Sequence, residues 1–365
     1  MAAADFPYRP SQGVPPGKLL EEFLAARDMS ARELARRCGR SAKLIVEILA
    51  GKAPIEPETA LQLERVLEMD ADLWLGMEAS YRLHLAKLQE ETQMALESTW
   101  ASNFPVRELE KRGYIKSGGA QGDRVRQLLA FFGAGSVAAC RERFSELASV
   151  SYRHSPSFKS SEEALLVWLR FGEKAAESIE SADFDRTRFI EELTQIRALT
   201  VKSIEVFIPE IIERCAAAGV AFALVKPLNG VALSGISRWL TPRKALIQQS
   251  LRHKANDHFW FTFYHEAAHL LLHSRKTVFL DGNGYSSAEP EEEEEANTWA
   301  ANFLVPQSAM RSFISGFGGS AGEVESFAAS QGIAPGIVVG QLQKRGVIEF
   351  KHMNSLKVRF QWSDD

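Results

Sequence analysis

The sequence predicts a mainly α-helical protein with a small β-sheet, in which an all-α N-terminal domain built on a helix-turn-helix precedes an α+β domain. Three observations carry this expectation. Apolar residues recur at helical spacing, as at Leu19, Leu20, Phe23 and Leu24, and again at Ile45, Ile48 and Leu49. Glycines at 39 and 51 close two short helical segments, which is the punctuation of helix-turn-helix units. Strand character is confined to runs at 219–225, 230–236 and 244–251.

The bulk numbers bound the function classes. A chain of 365 residues is long enough for two or three domains. Apolar residues make up 45% and charged residues 25%, as in soluble globular proteins. A formal net charge of −4 gives no overall electrostatic case for nucleic acid. Cys38, Cys140 and Cys215 are scattered and odd in number, which suits reduced thiols in a cytoplasmic protein. No apolar h-region opens the chain, so no signal peptide is expected. No apolar run approaches the roughly 20 residues that span a bilayer, so no membrane partner is expected.

Taken in order, residues 1–16 are Pro-rich and expected to be poorly ordered. A first helix begins near Gly17. Ser30 then reads as the N-cap of a second helix, with Glu33 reaching back in a capping box. Ser41 caps a third helix. A fourth runs over about 57–68 with Pro57 in its first turn, and a fifth begins near Asp70 or Asp72. Helical patterning continues to 102, breaks at Asn103-Phe104-Pro105, and returns at 106–112, 123–132, 136–147, 161–178, 185–197 and 201–217. The expected divisions are a helix-turn-helix domain at 17–90, a helical middle region at 91–200 and a last domain at 201–365.

The segment 16–90 resembles the lambda-repressor-like helix-turn-helix family, and within it HigA-type antitoxins. The resemblance rests on PGKLLEEFL (16–24), MSARELARRCGRS (29–41), ILAGKAPIEPETALQLERVL (48–67) and DLWLGMEASY (72–81). It implies DNA binding through the helix that starts at Ser41, with Ala42, Lys43, Leu44, Val46 and Glu47 facing outward. Those side chains are one cation, one anion and three apolar groups, a weak set for reading base edges. A helix-turn-helix kept for dimerisation, giving a homodimer, or for docking a partner is the alternative.

The chemistry is concentrated in 256–273, NDHFWFTFYHEAAHLLLH, where Asn256 or Asp257 is the expected helix N-cap. His265-Glu266-Ala267-Ala268-His269 is an H-E-x-x-H pattern, and on a helix the two imidazoles four residues apart can aim at one point. Two neutral imidazoles and a carboxylate suit Zn²⁺, with Glu266 as general base toward a water. Burying such groups in an apolar helix is costly unless they are paired or ligated. A third ligand is expected from the acidic helix at 289–305. Glu293 can ligate and Asn297, one turn on, can orient a ligand from behind, while spacing leaves Glu292 and Glu294 as competitors. His273 lies about 80° round the helix from His265 and lacks the glycine that would bend it to the metal, so it is a supporting or structural residue.

The H-E-x-x-H with its trailing LLLH, followed by E-x-x-A-N-x-W-A-A-x-x-L-V-P at 293–306, resembles the ImmA/IrrE family of metallo-endopeptidases. The resemblance implies a zincin-like metallopeptidase domain with a C-terminal helical subdomain. It also implies zinc ligands at His265, His269 and Glu293, Glu266 as base, and a repressor or antitoxin as protein substrate. Ala268 stands where glycine is usual, and Val305 where methionine is usual. The small sheet before the helix offers an edge strand for an extended peptide. The loop at 274–288 carries Gly282-Asn283-Gly284 as turn chemistry and Tyr285 as a candidate oxyanion donor or plain loop aromatic. The expected function is a zinc endopeptidase fused to a DNA-binding domain in transcriptional regulation. The alternative is a regulator or antitoxin whose zinc domain senses or binds without turnover.

Overall fold

The computed structural model describes residues 13–152, 162–273, 279–282 and 290–362. Of the stretch 1–16 expected to be poorly ordered, Pro16 starts a helix and 1–12 lie outside the described residues, as do the turn at 283–284 and Tyr285. The chain forms two compact units, Met1–Ala101 with Gly118–Arg126, and Ser102–Ser117 with Gln127–Asp365.

The first unit is built on α1 (Pro16–Ala26), α2 (Ala31–Cys38), α3 (Ala42–Leu49), α4 (Pro57–Leu67) and the long α5 (Ala71–Leu96). Its core is Leu20, Leu34, Ile45, Ile48, Leu63 and Trp74, all buried. α1 crosses α3 closely at Gly17, where a Cβ would lie 2.2 Å from the Ile48 carbonyl oxygen. Ser30 and Ser41 cap α2 and α3, accepting from Glu33 N at 3.1 Å and Leu44 N at 3.2 Å. The capping box expected at Ser30 is only half made. The Glu33 carboxylate turns to Arg36 at 2.6 Å and Arg37 at 2.8 Å, where charge-assisted bonds outcompete a neutral backbone N–H.

In chain order α6 (Ser98–Ser102), α7 (Val106–Lys111), α8 (Gln121–Phe132) and α9 (Val137–Tyr152) follow. The second unit continues with α10 (Glu162–Glu177), α11 (Arg186–Ala198), a 3₁₀ turn at Leu199–Val201 and α12 (Ile204–Ala217). Its sheet comprises β1 (Val220–Leu224), β2 (Leu233–Thr241), β3 (Lys244–Gln249) and β4 (Phe279–Gly282) in the order β1-β3-β2-β4. β1 runs parallel to β3, and the other two pairings are antiparallel. The run expected to end at 236 extends to Thr241, and 230–232 stay outside the strand. The reason is a tight hairpin at Pro242-Arg243, where Thr241 Oγ1 accepts from Arg243 N and Lys244 N and lets Trp239 pair with Ala245. The strand before the H-E-x-x-H helix, β3, is therefore central, and the edge strand beyond β2 is β4.

α10 covers one face of the sheet. Gln248 donates to the Trp168 carbonyl at 2.7 Å, and the Trp168 indole donates to the Val225 carbonyl at 3.2 Å. Buried Glu173 accepts from Arg170 at 2.6 Å and Arg238 at 2.9 Å, which makes both guanidiniums tolerable inside. The opposite face carries α13 (Asn256–Leu272), whose Phe259 and Phe263 rings pack on Phe222 of β1. After it come α14 (Pro290–Leu304), α15 (Gln307–Gly316), α16 (Ala321–Gln331) and α17 (Pro335–Lys344). α16 and α17 meet at Gly332 in a left-handed turn, as in a helix-turn-helix. Ile337, Val338, Val339 and Leu342 of α17 are buried in the same core as α13, so this pair serves packing.

The N-cap of α13 is Ala255, not Asn256 or Asp257. Both polar side chains are taken by the C-terminal segment: Asn256 Oδ1 accepts from Val358 N at 3.2 Å, and Asp257 pairs with Lys357 at 2.6 Å. A buried charge favours an ion partner over a cap position.

Gly219 joins α12 to β1 with φ +82°, and a Cβ there would sit 2.3 Å from the Phe184 backbone. Gly219→Ala is expected to destabilise the protein by at least about 2 kcal/mol in chemical denaturation, from left-handed strain with a backbone clash that cannot relax.

Candidate metal centre

α13 is buried on nearly all sides. Its aromatic side faces the core, and Tyr264 anchors it by donating to the Leu193 carbonyl at 2.9 Å. The other side carries His265, Glu266 and His269, exposed by only 2%, 0% and 1%. Four-residue spacing brings the imidazoles together edge to face as neighbours on one helix side, with their Nε2 atoms 3.0 Å apart. α14 packs along α13 and brings the Glu293 carboxylate to 3.4 Å from His265 Nε2 and 3.6 Å from His269 Nε2. Among the described residues these three form the one group of His, Cys, Asp or Glu whose ligand atoms converge, all within 4.8 Å of one another. Glu294 is exposed, and Glu293 is the acid lying against both imidazoles.

The donor set fits zinc on spacing as well as chemistry. Ligands about 2.0–2.1 Å from a tetrahedral ion lie about 3.3 Å from one another, and the observed separations bracket that edge. Neutral imidazole is the ligating form. Burial first, then the neighbouring His265 and His273, lower the His269 imidazole to about 2.

His273 sits at the C-cap of α13, with its Nδ1 2.9 Å from His269 Nδ1 and its Nε2 3.2 Å from a Glu295 oxygen. One proton assignment satisfies the chain: His273 Nε2–H donates to Glu295, and His269 Nδ1–H donates to His273. That leaves the His269 Nε2 lone pair facing Glu293 and His265. Asn297, expected to support a ligand, is half-buried and makes no hydrogen bond to a described residue. The side chain that lies directly behind His269 is His273.

Glu266 depends on a residue that motif spacing does not reveal. Gly235 of β2 lies under α13, where a Cβ would fall 2.8 Å from Glu266 Oε1 and 2.7 Å from Thr262 Cγ2. Only a glycine lets the carboxylate lie against the strand. A glycine inside a strand is the available signal for such close approach.

On the helix-turn-helix, Ser41, Ala42, Lys43 and Val46 are exposed, whereas Leu44 and Glu47 are half-buried. The Ser41 hydroxyl is used as the cap, and Glu47 lies 3.8 Å from Lys43. α2 and its surroundings carry Arg32, Arg36, Arg37, Arg40, Lys43 and Lys52 against Glu33 and Glu47, so the local charge is positive although the chain is acidic. Arg40 is held by Gln62 at 2.7 Å and Glu58 at 2.9 Å. Arg32 and Lys52 are exposed and make no ion pair with a described residue.

The His269 shift has a consequence for stability. The unfolded imidazole takes a proton below its ordinary value of 6.5, while the folded one stays neutral down to about 2. Stability is therefore full above that ordinary value and lost as the pH falls below it. Metal-free protein is expected to lose about 2 kcal/mol from this group between pH 7 and pH 5, read by denaturant unfolding in chelator.

The IrrE N-terminal-like domain family, Peptidase_M78, matches residues 251–329, which include all of α13 and α14. Virulence-associated protein I of Dichelobacter nodosus is 36% identical over 78 residues, covering 21% of this chain and 72% of that protein. The uncharacterized HTH-type transcriptional regulator YddM of Escherichia coli (strain K12) is 31% identical over 68 residues, covering 19% of this chain and 72% of that protein. Among solved structures, a Pseudomonas aeruginosa antitoxin HigA with the higBA promoter is similar at 29% identity, over 22% of this chain and 90% of that one, with a TM-score of 0.22. The chain belongs to the family of the HTH-type transcriptional regulator YddM and carries, in its C-terminal part, an IrrE N-terminal-like domain of the Peptidase_M78 family.

Proposed function

We propose that this protein is a zinc-dependent endopeptidase fused to a DNA-binding helix-turn-helix domain, cleaving a repressor or antitoxin in transcriptional regulation. The helix-turn-helix domain is assigned to 17–90 and the peptidase domain to 201–365. The observation that carries the proposal is the convergence of His265, His269 and Glu293 beside buried Glu266, inside an IrrE N-terminal-like domain. His265, His269 and Glu293 would hold the ion, and zinc bound there supplies Lewis acidity toward the scissile carbonyl and the attacking water. Glu266 takes the water proton and passes it to the leaving amine. Gly235 fixes where that carboxylate lies, and the buried walls of α13 exclude bulk water. β4, the edge strand beside β2, offers backbone groups for an extended peptide, which favours a protein substrate over a small molecule.

DNA binding is supported by the capped α2–α3 geometry, by the local cations and by similarity to a helix-turn-helix regulator. Lys43 would contact phosphate, and Ser41, Ala42, Leu44 and Glu47 would shape the surface entering the groove. Leu85 and Leu88 are exposed within about 60° of each other on α5 and would suit contact with a second copy of the chain. A second reading is a regulator whose metal domain senses without turnover, and similarity to an HTH-type transcriptional regulator supports the regulator part of it.

Metal analysis tests the site, and a cleavage assay separates the two readings. Wild type and Glu266→Gln are expected to hold about one zinc per chain. His273→Ala should lower zinc affinity by about 10- to 100-fold, as loss of a ligand's supporting partner does, and Glu293→Ala should lower it further. Incubated with purified repressors and antitoxins encoded beside it, wild type should cleave one of them, and Glu266→Gln should do so about 100- to 10,000-fold more slowly. Zinc without cleavage of any of them favours the sensor. On duplex selected from a randomised library, Lys43→Ala should weaken binding about three- to tenfold and flatten its salt dependence. Unchanged binding would remove α3 from the interface.

A further inference from the structure

The start of α13 and the C-terminal segment are stitched into one surface. Ala255 and Arg359 form an antiparallel bridge. Beside it, Asn256 N donates to the Val358 carbonyl and Phe360 N to the Lys254 carbonyl, both at 2.9 Å. Lys357 pairs with Asp257 at 2.6 Å and donates to Gln343 Oε1 at 2.7 Å. Gln343 Nε2 in turn donates to the carbonyls of Phe350 at 3.2 Å and His352 at 2.9 Å. These bonds join the β3–α13 turn, the loop after α17 and residues 357–360.

The charge of this surface is one-sided. Arg252, Lys254, Lys351, Lys357 and Arg359 stand against Asp257 and Glu349. Asp257 is 7% exposed and already taken by Lys357, so it adds no negative charge outside. Glu349 pairs with Lys351 at 2.8 Å, but their side chains are 66% and 74% exposed, where an ion pair is weak and easily exchanged. Lys254 and Arg359 are exposed and make no ion pair with a described residue. They occupy neighbouring places on the bridge, so their charges repel until an anion lies against them. All this stands in a chain whose formal net charge is −4.

We propose that this face of the second unit is a contact for the DNA backbone, in which Lys254, Lys351 and Arg359 bind phosphates of a duplex whatever its sequence. Mobile, solvated cations carry no base readout but contribute affinity by releasing counterions. The choice of duplex DNA as the polyanion rests on the DNA-binding part of the proposed function. The chain already carries a helix-turn-helix like that of a transcriptional regulator. The contact itself stands on residues far in sequence from α3, and separate substitutions test the two.

The test uses the full chain and a fluorescein-labelled duplex of random sequence, with affinity read by fluorescence anisotropy across a salt series. Lys254→Asn, Lys351→Ala and Arg359→Ala are combined in one variant. Asparagine tolerates the φ of +52° at position 254. This variant should bind at least about tenfold more weakly, and its slope of log affinity against log salt should be shallower by about 2 to 3. Lys351→Arg with Arg359→Lys should keep the wild-type slope. A control variant, Arg188→Ala with Lys202→Ala and Arg311→Ala, removes three exposed cations elsewhere on the same unit and should leave the slope nearly unchanged. Equal melting of the variants and wild type checks that folding is intact. An unchanged slope in the first variant, or an equal change in the control, overturns the contact. Phe350 and Val358 are exposed beside these cations, so phosphatidylglycerol vesicles form a second arm. Vesicle binding that the first variant loses, with its DNA affinity unchanged, overturns the proposal in favour of a membrane surface. Weakened DNA binding in the first variant, with none in Lys43→Ala, sinks the α3 reading and leaves this contact standing.

Discussion

Burying two imidazoles and a carboxylate in the middle of α13 is unfavourable unless each finds something to face, and much of the second unit is arranged around that requirement. His265 and His269 face each other and Glu293. Behind His269 stand His273 and then Glu295. Glu266 fits only because β2 presents Gly235 beneath it. The helix cannot shift to relieve these contacts. Tyr264 fixes its far side to Leu193, and Asn256 and Asp257 tie its start to Val358 and Lys357.

The rigidity is distributed between the two faces of the sheet. On the α10 side, buried polar contacts of Trp168, Gln248, Arg238 and Glu173 tie helix to strands, although Arg238 Nε and Gln248 Oε1 make no hydrogen bond among the described residues. On the α13 side, contact is almost wholly aromatic and aliphatic, apart from Gln249 and the stripe of His258, Thr262 and Glu266. Polar chemistry is thus gathered along one line of one helix.

The first unit works by local rules. Ser30 and Ser41 cap successive helices, glycine at 39 takes the left-handed turn between them, and a small apolar core holds their angle. Its cations are unevenly committed: Arg36 and Arg37 lean on Glu33 and Arg40 on Glu58, while Arg32, Lys43 and Lys52 remain exposed. Phosphate would compete with weak surface ion pairs at some of these positions and meet solvated cations at the others.

Local patterning was enough for the helices, for Ser30 and Ser41 as caps, for the onset of strands after 219 and for the placing of His265 and His269 on one helix face. These depend on interactions within a few residues, where periodicity and side-chain capping decide. Tertiary structure alone decided which carboxylate of the acidic run approaches the imidazoles, because neighbours on a helix differ only by the direction that packing gives them. It also decided that His273 lies behind His269, that Glu33 turns to two arginines, and that Asn256 and Asp257 serve the C-terminal segment. Gly235 is the clearest case. In sequence it is one glycine in a β-run, and it acquires meaning only when a helix starting some twenty residues later lays a carboxylate across it.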